Sequence, residues 1–277
     1  MRTAPRLLKP LAAVSAAGLA WGWFEAGWLR RRVLELELPG LPPELDGLRI
    51  AHLSDFHLGP PSRGAHAVEK AVDWTVAQRP DLTVVTGDLL SRPTGEPALR
   101  RHAERLAPCY AILGNHDIAI SRDPFSQRSH LEHLEPATLL RNEGRMLELR
   151  GRTVWVAGHH PVPHWTAELR TDPHSLSREA DLRILLCHFP PVLDRLEPDT
   201  FDLVLTGHMH DGQICLPWPG GKVRLAHPSA RYVAGVYRQR TTVMHVSPGL
   251  GTTFVPFRFA ARPEVTELVL RPGLESP

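Results

Sequence analysis

Cysteine is scarce in this sequence. Cys109, Cys187 and Cys215 are the only three in 277 residues, too few and too scattered for a disulfide framework or a thiolate-rich zinc site, so they are expected to stay reduced. An excess of charge of either sign is missing as well. The 32 Lys and Arg nearly balance 30 Asp and Glu, leaving a net charge of +2 and no global field that would attract nucleic acid. No internal repeat or low-complexity tract is present. With 42% apolar and 22% charged residues the composition is that of a globular chain, long enough for one sizeable core. Histidine, by contrast, is abundant at 16, and imidazole is the commonest metal ligand.

A long hydrophobic run is also lacking. Leu11 to Phe24 reads LAAVSAAGLAWGWF without a charge, with Arg2, Arg6 and Lys9 before it and, after Glu25, Trp28 and the triplet Arg30, Arg31 and Arg32. The run falls short of the ~20 residues of an ordinary spanning helix, and tolerating Glu25 extends it to Leu29. A cleaved signal peptide needs small residues after the run, whereas Trp21, Trp23 and Phe24 end it. The Trp cluster suits a membrane-water interface and the Arg triplet suits anionic headgroups, so a retained anchor or interfacial helix is the expectation, against a helix buried on the domain's own surface. Basic residues on both sides leave orientation to weaker signals, which favour the cytoplasmic face of an inner membrane over export to the envelope. The chain therefore divides into residues 1–37, anchor or interfacial segment, and 38–277, the globular domain.

Beyond a Pro-rich linker around Leu38 to Pro43, short apolar runs alternate with amphipathic stretches, as in an α/β domain. Strands are predicted at Leu48 to Leu53, Leu82 to Thr86, Tyr110 to Leu113, Thr153 to Ala157, Arg183 to Cys187, Leu203 to Thr206, Thr242 to Val246 and Thr266 to Leu270. Helices are predicted at Ala65 to Gln78, Ala98 to Leu106 and Pro191 to Leu196. The stretch from Gly158 to Ala180, rich in Pro and His, reads as a surface excursion that partly covers a site, with His159, His160, His164 and His174 as residues able to reach substrate.

Five of the apolar runs end in a metal-capable residue: LRIAHLSDFH, LTVVTGD, YAILGNHD, LRILLCH and LVLTGHMH. In open α/β sheets ligands gather outside the carboxyl ends of strands, so five such ends can converge on one point. Gly87, Gly114 and Gly207 each precede a candidate ligand, where a missing side chain lets backbone approach closely. His52 lies three residues before Asp55 and, by strand alternation, points to the other face as a structural residue. His102, His130 and His133 fall on amphipathic segments read as solvated helices.

In the order Asp-x-His, Gly-Asp, Gly-Asn-His-Asp, His, Gly-His-x-His, these motifs resemble the signature of the calcineurin-like metallophosphoesterases over roughly Leu48 to Leu270. The resemblance implies a four-layer α/β/β/α sandwich of two mixed sheets and a hydrolase with two divalent metal ions. Asp55, His57 and His210 then hold one ion, Asn115, His188 and His208 the other, and Asp88 bridges them. It also implies that His116 stabilises the transition state or protonates the leaving oxygen, with Asp117 fixing its tautomer; capping the following turn is the alternative for Asp117. A nitrogen and oxygen donor set without thiolate favours Mn, Fe, Zn or Co over Ca or a structural zinc without choosing among them, and Mn is the ion expected first.

The phrases ELDGLRIAHLSDFHLG, TGHMHDGQICLP and GLGTTFVPFRF are similar to a bacterial, envelope-associated phosphodiesterase branch that includes UDP-2,3-diacylglucosamine pyrophosphatases of lipid A synthesis. The chain departs from that branch at Asp211, where Gly is usual, and at His159 and His160, where acidic residues are common. The expected substrate is a phosphoester or nucleotide-lipid met at a membrane surface, with a general phosphodiesterase or phosphatase as the alternative. A non-catalytic metal-binding scaffold is opposed by the complete ligand set and His116.

Overall fold

The computed structural model describes residues 4–160 and 173–273, with side chains from residue 9 onward. Two six-stranded sheets lie face to face. The first is built from β1 (Arg30–Pro39), β2 (Arg49–Leu53), β3 (Leu82–Thr86), β4 (Cys109–Ile112), β5 (Thr138–Leu139) and β14 (Glu264–Gly273), in the order β1-β14-β2-β3-β4-β5. The second is built from β6 (Glu143–Leu149), β7 (Arg152–Gly158), β8 (Leu182–Leu186), β9 (Leu203–Thr206), β12 (Gly235–Gln239) and β13 (Thr242–Val246), in the order β12-β13-β9-β8-β7-β6. A hairpin of β10 (Cys215–Trp218) and β11 (Gly221–Arg224) stands apart. Both sheets are mixed: β2, β3, β4 and β5 run parallel, as do β7, β8, β9 and β13, while β14 against β2, β6 against β7 and β12 against β13 are antiparallel.

Alternation along the strands assigns the layers. Ile50, Val84 and Ile112 meet Val156, Ile184 and Leu205 between the sheets. The opposite residues of the first sheet, among them Leu53, Val85 and Ala111, pack under Val68 and Val72 of α2 (Gly64–Gln78) and Leu99 and Ala103 of α3 (Glu96–Leu106). On the outer face of the second sheet, Leu185, Val204 and Met244 are covered by Leu176, Val192 and Leu193 from 3-10 turns at Pro173–Leu176 and Pro190–Arg195. The helix expected at Pro191 to Leu196 is thus a 3-10 turn: Pro190 and Pro191 supply no backbone N–H to an α-helical ladder, and the segment is six residues long.

The N-terminal stretch differs from a segment joined by a linker. Arg30–Pro39 pairs along its whole length with β14, so the division after residue 37 falls inside a strand. Arg30 forms an ion pair with the buried Glu264. The helix before it, α1 (Ala4–Glu25), docks by its last turn: Glu25 is buried, and its Oε1 accepts a hydrogen bond from the Ala261 N–H at 2.9 Å. The Arg258 N–H donates to the Gly22 carbonyl at 3.0 Å. No helix among the described residues is long and apolar enough to cross a membrane.

Candidate metal centre

The carboxyl ends of β2, β3, β4, β8 and β9 open on one edge of the sandwich, and the loops that leave them are laced together by backbone hydrogen bonds. The Asp55 N–H donates to the Gly87 carbonyl at 3.0 Å, the His57 N–H to Asp88 at 2.9 Å, and the Gly207 N–H to His188 at 3.2 Å. Turning so tightly takes an unusual backbone. Asp55, His57, Asp88, His208 and His210 all have positive φ, between 46° and 73°, a region that costs a side chain roughly 1–3 kcal/mol and is held only where surrounding structure dictates it. The glycines make room. A Cβ on Gly114 would collide with the carboxylate and N–H of Asp88, and one on Gly207 would collide with Ser54 and Asp55.

Six of the seven side chains come together around Asp88. Ligand-capable atoms of Asp55, His57, Asp88 and His210 lie within 4.8 Å of one another, and those of Asp88, His188 and His208 do so as well, so Asp88 belongs to both groups. His57 Nε2 is 3.5 Å and His188 Nε2 3.2 Å from Asp88 Oδ2, and His210 Nε2 is 3.3 Å from Asp55 Oδ1. The far side of each ring is pinned. His188 Nδ1 donates to the Thr86 carbonyl at 2.8 Å, which leaves Nε2 unprotonated in the neutral ring, and His57 Nδ1 meets Ser91 Oγ at 2.8 Å. The acids are pinned too: Asp55 accepts from Ser54 Oγ at 2.5 Å and from the His208 N–H at 3.1 Å, and Asp88 from the His116 N–H at 2.8 Å.

Burial sets the electrostatics. It pushes the Asp55 and Asp88 carboxyls up, but His210 beside Asp55 and His188 beside Asp88 override it and hold both acids ionised below the ordinary carboxylate range. Burial alone would lower His188; the Asp88 charge instead raises it to about 9. Desolvation beside His188 lowers His208 to about 3, and His57 is pushed down by burial and His116. Two carboxylates among mostly neutral imidazoles form a donor set for hard to borderline cations. The set fits metal on a further count: Asn115 Oδ1 is buried without a hydrogen-bond partner, a costly state for a polar atom unless something else satisfies it.

Residues 48–212, more than half of the chain, match the calcineurin-like phosphoesterase family. The chain belongs to that family. It is 28% identical over 284 residues to the phosphodiesterase YaeI of Escherichia coli, covering 96% of this chain and 98% of that protein. It is 29% identical over 234 residues to the uncharacterized metallophosphoesterase YkoQ of Bacillus subtilis, covering 82% and 84%. To the UDP-2,3-diacylglucosamine pyrophosphatase LpxG of Chlamydia muridarum it is 27% identical over 318 residues, covering 92% and 94%.

Around the centre of this calcineurin-like phosphoesterase, several residues behave differently from the sequence reading. Asp117 does not reach the ring of His116. Its carboxylate accepts the N–H groups of Leu89 at 3.1 Å, Leu90 at 2.8 Å and Gly114 at 2.8 Å, tying the loop after β3 to the loop after β4; burial and the nearby Asp88 raise its pKa to about 7. The His116 ring instead meets Ser121 Oγ at 2.9 Å and Thr253 Oγ1 at 3.4 Å, and Thr253 donates to Asp123 at 2.9 Å. Asp211 takes a left-handed φ of 53°, the region natural to Gly, and forms an ion pair with Lys222 of β11.

Away from the centre, His102 is buried rather than solvated, and His130 and His133 are exposed but lie outside helices. His52 does face away from the centre, bonding His245 and Thr86 between the sheets at 2.8 and 2.9 Å. His174 is taken up by Thr200 and the Arg195 carbonyl, His159 is buried with its N–H on Leu186, and the His160 N–H donates to Asn142. His164 and the middle of the excursion, 161–172, lie outside the described residues. Sequence reading missed Arg258 altogether. It is fully buried, donates to the carbonyls of Pro248, Gly251 and Ala261, and reaches His210 Nδ1 at 3.2 Å; burial lowers its pKa to about 10.

Proposed function

We propose that the chain hydrolyses a phosphodiester or pyrophosphate bond in a membrane-borne, amphiphilic substrate of the UDP-2,3-diacylglucosamine type, at two divalent cations gathered around Asp88. The observation that carries this reading is the pair of buried donor groups sharing one carboxylate. Asp55, His57 and His210 would hold one cation, Asn115, His188 and His208 the other, and Asp88 both, since its two oxygens suit ions ~3.5–4 Å apart. Such cations supply Lewis acidity at the phosphoryl oxygens and acidify a water for in-line attack. The donor set suits Mn, Fe, Zn or Co, and Mn is the ion to test first.

The chain's own residues supply position and proton transfer. Hydrogen bonds from Ser54 and from the backbone of His208 and His116 keep Asp55 and Asp88 from rotating, so the charge that meets the substrate is preorganised. His116 is 4.0 Å from Asp88 Oδ2, with Ser121 at its Nε2, and is the group proposed to hold a proton for the leaving oxygen. Asp117 is a positioning residue, acting on the loops that carry Asp88 and Asn115.

A membrane-borne substrate is supported by α1, which exposes Leu11, Val14, Leu19, Trp21, Trp23 and Phe24, an interfacial assortment followed by the basic start of β1. In this reading α1 and the basic start of β1 bring the protein to the cytoplasmic face of the inner membrane, with the exported face as the alternative. The test is a comparison of UDP-2,3-diacylglucosamine with bis-p-nitrophenyl phosphate, each with Mn and with Mg. The lipid nucleotide should be turned over at least about tenfold faster, because binding energy from remote groups lowers the barrier at the reacting bond. If it is no faster, the lipid assignment fails and a general phosphodiesterase remains, the reading favoured by the near full-length similarity to YaeI.

A further inference from the structure

We propose that an apolar cavity beside His116 is the subsite for an aliphatic chain carried by the substrate; this rests on the phosphoesterase reading above and gives that site a specificity element. The cavity has a volume of about 190 Å³ and lies between the loop at Pro60 and Pro61 and the loop from Thr252 to Pro256, with Phe125 as a third wall. Among its lining residues is Thr253, whose Oγ1 is 3.4 Å from His116 Nε2, and His116 in turn is 4.0 Å from Asp88. Phe257, next in sequence after the wall residue Pro256, meets Trp23 of α1 edge-on with ring centroids 6.4 Å apart.

The walls are held in place before anything binds. The buried Asp123 accepts the N–H groups of Phe125 and Phe254, each at 2.9 Å, together with the Thr253 hydroxyl. Arg92 lies over the Phe125 ring at 5.7 Å and donates to the Phe125 carbonyl at 3.0 Å. Phe125 and Phe254 are nonetheless 48% exposed and Val255 42%, large apolar surfaces kept wet by a rigid frame. The two charged residues at the cavity are engaged with that frame, so what the cavity offers an incoming group is hydrocarbon contact, and a methylene chain tethered to the reacting phosphorus matches it. A preformed pocket of this kind spares the ordering cost of binding.

The test is calorimetric titration of the full, Mn-loaded chain with methylphosphonate and octylphosphonate. Octylphosphonate should bind on the order of 100-fold more tightly, as expected for three to four buried methylenes at about fourfold each, with a negative heat-capacity change. Val255→Trp, which fills the cavity, and Phe254→Ser, which removes a wall, should bring the ratio below about tenfold. Equal binding of the two phosphonates by the native chain, or a preference that survives Val255→Trp, overturns the subsite. Turnover of methyl and octyl p-nitrophenyl phosphate is followed in parallel. If neither diester is cleaved, the phosphodiesterase reading fails, while the phosphonate ratio still decides the cavity.

Discussion

The guanidinium of Arg258 lies 3.2 Å from Nδ1 of His210, with its other N–H groups spent on the carbonyls of Gly251, Pro248 and Ala261. A fully buried arginine so far along the chain from the histidine motif holds the ring of a proposed ligand and the loop that returns to α1 in one network. Arg258→Lys keeps the charge and loses the planar fork that reaches several acceptors at once. It should weaken metal binding about 10- to 100-fold, the usual cost of losing a residue that orients a ligand, as read by metal titration. Arg258→Met strands the carbonyls of His210, Pro248, Gly251 and Ala261 and should lower unfolding free energy by about 3–5 kcal/mol in urea.

Asp88→Asn tests the shared carboxylate. The amide has nearly the same shape, but it lacks the negative charge and one of the two acceptor oxygens. Bound metal should fall below two per chain by elemental analysis, and kcat should drop by about two to three orders of magnitude with unchanged far-ultraviolet circular dichroism. Full metal content in the variant would remove Asp88 from the centre of the proposal.

Thr253→Val tests whether the Thr253 and Asp123 pair orients His116. The isostere keeps the volume and removes the hydroxyl that links the two. A fall in kcat of about tenfold, with little change in KM and a displaced limb of the pH-rate profile, is the expected result. A loss confined to KM would assign Thr253 to binding alone.

Gly114→Ala should be far more damaging than its single methyl suggests. The new Cβ meets Asp88 at its carboxylate and its N–H, and both are fixed by the loop lacing. Destabilisation of about 1–3 kcal/mol is expected from the overpacking, together with loss of metal. Gly18→Ala is the matched control: nothing lies within 4 Å of a Cβ there, and alanine in a helix should be stabilising by about 0.5–1 kcal/mol.

Acid should unfold the protein partly through His52 and His245. Burial pushes His245 down to about 3 and, with the nearby His245, takes His52 well below its ordinary 6.5. Both rings are neutral in the fold, while in the unfolded chain they gain protons near pH 6.5. The unfolded state thus binds more protons below that value. Stability is full above about pH 6.5 and declines as the pH falls toward 3, by up to about 1.4 kcal/mol per pH unit for each ring. His245→Asn should make the pH dependence of urea unfolding shallower by about one proton between about pH 4.5 and 6.5. An unchanged slope would mean that the pair is already charged in the fold.

Legibility followed the range of the interactions. Strand alternation and helix period are local, so β2, β3, β9 and β13 could be read within a residue or two, and so could the five strand ends that carry Asp55, Asp88, Asn115, His188 and His208. Gly87, Gly114 and Gly207 were legible because crowding at a strand end leaves a local mark in the sequence. The strand β1 was not, since Arg30, Arg31 and Arg32 look like headgroup ligands until β14, more than 230 residues away, supplies a partner edge.

Sequence by itself supplied the proposed donor set and its order along the chain, and hence the chemistry it would offer: two carboxylates, imidazoles and one amide, with no thiolate. Tertiary structure alone decided what holds and surrounds that set. Arg258 behind His210, Thr253 and Asp123 at His116, Asp117 across two loops and the apolar cavity beyond them all depend on loops that meet from distant parts of the chain. Such contacts leave no periodic trace, because a loop residue's partner is set by where the strands place the loop ends in space rather than by its neighbours in sequence.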